Sequence, residues 1–119
     1  MTDTRTIKRP AKPRPARITS AADVVSEKEF MANVKELARF FGWRVFHNFD
    51  ARRSDPGFPD LICVRNGRLI AMELKREDHT RAKQTPDQAL WLVDLNAVLG
   101  VKAYLFRPSD MPRIRELLA

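Results

Sequence analysis

Asp60, Glu73 and Lys75 are the residues whose types and spacing could do chemistry together. The runs Asp60–Arg65 and Arg68–Lys75 are β-type and are separated by Asn66-Gly67. Asn-Gly is the strongest short-range hairpin signal, a two-residue type I′ turn. With these two residues as the loop, Val64 faces Leu69, Ile62 faces Ala71 and Asp60 faces Glu73. Two carboxylates then stand opposite each other, with Cβ atoms roughly 4.5–5.5 Å apart, an arrangement that destabilises a sheet unless something compensates. A divalent cation held by oxygen ligands does so directly. Lys75, two residues beyond Glu73, projects from the same face. The competing reading is a strand end emerging into water, with Lys75 and Asp60 as a surface ion pair. That reading leaves the opposed acids unexplained.

The elements that position this set can be read from periodicity and capping signals. Phe30, Val34, Leu37 and Phe41 recur at helical spacing after Ser26, a good N-cap, and Gly42 closes the helix. Trp43–Phe49 alternates as a strand, and residues 50–59 form a loop with Pro56, Gly57 and Pro59. After a charged stretch at 76–84, Thr85 caps a second helix with Pro86 in its first turn and Gln88 in capping-box position; the helix runs to about Leu99. Val101–Arg107 is a further strand, and Ser109 or Asp110 opens a short final helix. The order α-β-β-β-α-β-α gives an α/β class fold, a small mixed β-sheet flanked by helices.

Composition bounds the rest. A length of 119 residues fits one domain, and 44% hydrophobic residues exceeds what a wholly disordered chain carries. No apolar run is long enough for a membrane span, and the N-terminus lacks the apolar stretch of a secretory signal. With one Cys there is no internal disulfide and no Cys-based zinc site. An intracellular, cytoplasmic protein with no membrane partner is expected. The net charge of +7 is concentrated in residues 1–22, which hold six basic residues, Lys8, Arg9, Lys12 and Arg14 among them, and one acid. This Pro-containing basic tail is expected to be disordered, with residues 23–119 forming the domain. Such a tail suits the phosphates of a nucleic acid, or alternatively only aids solubility. Arg52 and Arg53, in the loop before Asp60, likewise suit phosphate contacts or are solvated loop charges.

Gly57-Phe58-Pro59-Asp60, then Glu73-Leu74-Lys75, then Gln88 resembles the signature of the VRR-NUC nucleases of the PD-(D/E)XK superfamily. The resemblance spans about residues 26–109, including Gly42-Trp43 and Arg107-Pro108-Ser109-Asp110, and is of the short, stand-alone, phage- or prophage-like type. It implies a restriction-endonuclease-like fold and a Mg²⁺- or Mn²⁺-dependent DNA endonuclease, with a flap, a four-way junction, a nick and plain duplex all open as the DNA that is cut. Asp60 and Glu73 would be metal ligands, joined by the backbone carbonyl of Leu74. Lys75 would orient the attacking water and stabilise charge on the phosphate. An acid at the start of the first helix also belongs to the pattern. Glu27 matches that position best and extends the inward stripe of Phe30 and Val34, whereas Glu29 and Glu36 lie on the opposite face. Glu27 would bind a second metal or anchor water at the first; its other reading is favourable interaction with the helix dipole. Gln88 is placed at the active site near the lysine, or closes the capping box with Thr85, or does both.

His47 resembles a histidine common in this subgroup but is not assigned as a ligand. Cys63 reads as a small core residue, and Trp43 and Trp91 as packing residues. Base stacking needs a partnering aromatic surface, which the sequence does not reveal. A homodimer is expected if a junction is resolved, because two strands must be cut in a paired way. The rival functions are a non-catalytic nucleic-acid-binding module of the same fold and a basic RNA-associated protein.

Overall fold

The computed structural model describes residues 25–49 and 53–119. Helix α1 spans Glu27–Phe40 and starts in a reciprocal cap. The Ser26 hydroxyl accepts from the Glu29 N–H (3.0 Å), and the Glu29 carboxylate accepts from the Ser26 N–H (3.1 Å). Phe30, Val34 and Ala38 form its buried stripe. Strands β1 (Arg44–His47), β2 (Leu61–Arg65) and β3 (Arg68–Leu74) follow, then α2 (Pro86–Asn96), β4 (Val101–Phe106), a 3₁₀ turn (Pro108–Asp110) and α3 (Met111–Leu118). The sheet order is β1-β2-β3-β4, antiparallel at the first two pairings and parallel at the third. The described residues therefore form a small mixed α/β domain with an open four-stranded sheet and three helices.

The Asn66-Gly67 turn sets the register. Both residues have positive φ (51° and 76°), as a type I′ turn requires. The pairs Val64↔Leu69, Ile62↔Ala71 and Leu61↔Met72 are those the turn dictates, which brings Asp60 to the level of Glu73. Alternation along β3 sends Ile70, Met72 and Leu74 into a core with Phe30, Val34, Leu61, Phe106, Ile114 and Leu118. Ala71 and Glu73 point to the other face.

Two elements differ from the sequence reading. Strand β1 is shorter than Trp43–Phe49. Its ladder with β2 ends at His47↔Leu61, and Trp43 instead packs in the core, with its indole Nε1–H donating to the Leu118 carbonyl (2.8 Å). Helix α2 ends at Asn96 rather than near Leu99. The Asn96 side chain donates to the Ala103 carbonyl and accepts from the Ala103 N–H, both at 2.9 Å, so it bonds to β4 as a neighbouring strand would. Residues 97 and 98 then close tighter turns onto Asp94 and Leu95.

Helix α2 is tied down differently from the other two. It has no buried residue, and Leu90 and Val93 are 61% and 65% exposed. Besides the Asn96 pair, it is held by Gln88, by the Trp91 indole donating to the Pro56 carbonyl (3.1 Å), and by the edge-on contact of Trp91 with Phe58 (5.0 Å).

Candidate active site

The segment Gly57-Phe58-Pro59-Asp60 delivers the first acid. Gly57 has φ +84°, and a Cβ there would lie 2.5 Å from the Asp87 carbonyl carbon and 2.6 Å from the Gln88 nitrogen. The loop therefore lies directly against the first turn of α2, which only glycine permits. Phe58 packs on Trp91, Pro59 is fully buried, and Asp60 emerges at the start of β2. Replacing Gly57 with Ala should lower stability by roughly 1–3 kcal/mol from backbone strain alone, with more from the displaced helix start. A thermal melt of the variant checks this, and an unchanged melting temperature would contradict the contact.

Asp60 is fixed on both sides. Its carbonyl accepts the Asn48 N–H (2.8 Å), and its carboxylate Oδ2 accepts the Leu74 N–H (3.1 Å). Glu73 is 4% exposed, which removes the reading of a strand end emerging into water. Burial, then the adjacent Asp60 carboxyl, pushes the Glu73 carboxyl up to about 8, against the pull of Lys75. Lys75 Nζ lies 3.7 Å from Glu73 Oε2, so the lysine pairs with Glu73 rather than with Asp60.

Gln88 both caps its helix and contacts Glu73. Its Oε1 accepts the Thr85 N–H (2.9 Å), closing the capping box, and its Nε2 donates to Glu73 Oε2 (3.0 Å). The cap fixes which end of the amide faces the acid, since only the oxygen accepts from a backbone N–H.

Glu73 Oε1 is buried and receives no hydrogen bond from a donor group. A buried carboxyl oxygen without a partner is costly, and a proton on the acid or a bound cation would satisfy it. The donor set of two carboxylates and a strand-edge backbone suits a hard divalent cation. Among the described residues no three His, Cys, Asp or Glu side chains close together into a cage. Glu27 is near enough to act electrostatically on Glu73, and it lines with Asp60 a groove of about 520 Å³.

That groove contains what the sequence reading missed. Phe49 is 81% exposed, with its ring 3.9 Å from that of His47, and Lys35 Nζ is 5.0 Å from the Phe49 ring centre. Burial, then Lys35, holds the His47 imidazole below its ordinary range. Lys35 donates to His47 Nδ1 (3.2 Å), which places the proton of the neutral ring on Nε2. The available signal was the i, i+2 spacing of His47 and Phe49, which puts both on one side of an extended chain.

Of the other expected positions, Arg53 is exposed in the loop leading to Asp60. Arg52 and the tail residues Lys8, Arg9, Lys12 and Arg14 lie outside the described residues. Cys63 is fully buried and its thiol is pushed up to about 11 by burial, as a core residue should be.

No protein-family model matches the chain, and no curated protein matches it either. The functional reading therefore rests on the residues of the site.

Proposed function

We propose that this chain is a metal-dependent DNA endonuclease of the VRR-NUC type, with its α-β-β-β-α-β elements arranged in the restriction-endonuclease-like manner, acting in the cytoplasm. The observation that carries the reading is the buried Glu73 carboxyl facing Asp60. One of its oxygens lacks a donor, while Lys75 and Gln88 engage the other. A fold has no structural need for a buried acid beside a second one, because replacing a buried ionic group by packed apolar ones is often neutral.

In this reading Asp60, Glu73 and the Leu74 carbonyl would hold Mg²⁺ or Mn²⁺. The N–H and C=O of a strand residue leave toward the same edge, so the Leu74 carbonyl faces the side on which its N–H meets Asp60. The bound ion supplies charge neutralisation at the phosphate and a water of lowered pKa. Lys75 orients the attacking water and offsets negative charge as it builds on the phosphate. Gln88 holds Glu73 in a fixed rotamer. Glu27, across the groove, anchors water or a second ion. Arg53 and the basic tail meet the DNA backbone. A branched substrate with two strands to cut requires a symmetric pair of chains, for which the outer face of α2, with Leu90 and Val93 exposed, is the apolar surface at hand.

The test is cleavage of labelled branched and linear DNA. Mg²⁺ or Mn²⁺ should support cutting, and Ca²⁺ should support binding with little cutting. Cleavage that persists in excess chelator, or DNA binding with no cleavage in any divalent ion, would replace the nuclease with a non-catalytic binding module.

A further inference from the structure

The geometry points to a stacking site for one unpaired nucleobase of single-stranded DNA on the open face of Phe49, beside the carboxylate pair. It rests on the nuclease reading and narrows the substrate to DNA with a strand that is already splayed near the scissile phosphate.

The first observation is that Phe49 has one covered face and one open face. Lys35 Nζ is 3.2 Å from His47 Nδ1, and both groups lie against the Phe49 ring. Groups on opposite faces of a ring cannot approach so closely. His47 and Lys35 therefore back the same face, and an exposure of 81% leaves the other open. An aromatic side chain so placed is supported from behind and available from the front, the arrangement single-strand binders use for stacking bases.

The second observation is location. Phe49 lines the same groove as Asp60 and Glu27, with Met31 and Ala32 among the apolar residues of its wall and Lys28 and Lys35 as its cations. Its volume of about 520 Å³ lies within the range, roughly 300–1,000 Å³, of sites that enclose small organic ligands. A base on Phe49 would have its phosphate near these lysines and the next phosphate toward Asp60. A paired base cannot enter, since its face is already stacked and its edge already bonded. An apolar protein segment would gain nothing from cations and carboxylates rimming the groove, whereas a nucleotide brings both an apolar face and an anion.

The experiment compares a single-stranded oligonucleotide with a blunt duplex of the same sequence, binding the full chain by fluorescence anisotropy in Ca²⁺. The quantity read is the ratio of the two affinities. Phe49→Ala should reduce the single-strand preference by about tenfold, within the span that aromatic-to-alanine changes at base stacks produce. Phe49→Tyr should keep the preference. Phe49→Trp should also keep it and add an indole fluorescence that the single strand quenches beyond the wild-type signal. An unchanged ratio in Phe49→Ala, or equal losses in the Tyr and Ala variants, would overturn the site. Because the readout is binding, a chain that cuts no DNA yet shows the expected ratio refutes the nuclease and keeps the stacking site. Metal-dependent cutting with an unchanged ratio does the reverse.

Discussion

Lys75→Met should slow DNA cleavage by roughly 10²–10³-fold while leaving the metal-induced rise in melting temperature largely intact. The factor is that of removing one preorganised group that stabilises transition-state charge. The retention follows from chemistry, since a lysine ammonium has no lone pair to give a cation. Asp60→Asn and Glu73→Gln should behave in the opposite way on the second measure. Each should lose cleavage and also lose the stabilisation that Mg²⁺ confers, which grows with the ratio of free metal to its dissociation constant. Metal-free stability at neutral pH should be equal to or higher than wild type in both, because each change removes the cost of keeping two acids side by side in the fold. Thermal melts of the three variants with and without Mg²⁺, run beside initial cleavage rates, separate the roles. Acid variants that keep both the wild-type metal shift and the activity would show that the carboxylates hold no ion.

The second large effect is on stability against pH. In the folded chain the Glu73 carboxyl titrates at about 8, against 4.5 for an ordinary glutamate. Between those values the folded state keeps a proton that the unfolded state has released. Linkage then requires stability to fall as pH rises from about 4.5 to about 8 and to level off above. Each pKa unit of displacement corresponds to about 1.4 kcal/mol, so the drop is large for a domain of this size. Melts in chelator at pH 5, 7 and 9 should show it, and Glu73→Gln should flatten it. Mg²⁺ should restore stability most at the alkaline end, because there it no longer competes with a proton. A wild-type melting temperature that does not fall across this range would mean that Glu73 is ionised at neutral pH even without metal.

Much of the site was legible because its position follows from local rules. Asn66-Gly67 allows one turn, the turn allows one register, and the register places Asp60 at Glu73. Ser26 and Thr85 announce helix starts through side chains that have only their own first turn to bond. What the sequence concealed depends on contacts between segments far apart in the chain. Asn96 looks like an ordinary helical residue, yet its bonds to Ala103 end the helix. Gly57 reads as a turn glycine, whereas its lack of a side chain is needed by the backbone of α2. Phe49 falls within the alternating stretch read as a strand, but β1 stops at His47 and leaves the ring outside.

Helix α2 carries a consequence for motion. Apolar burial sets most of the cost of separating one element from another. The α1–α3 side of the sheet has fully buried side chains, whereas α2 lies on β4 through half-buried ones such as Trp91, Leu92 and Leu95 and a few polar contacts. The cheapest partial opening of this molecule therefore lifts α2 while the hairpin and its acids stay in place. In that opened state Glu73 loses the Gln88 amide and gains water, so its proton is released more readily. Whatever steadies the helix therefore also tunes how readily Glu73 gives up its proton.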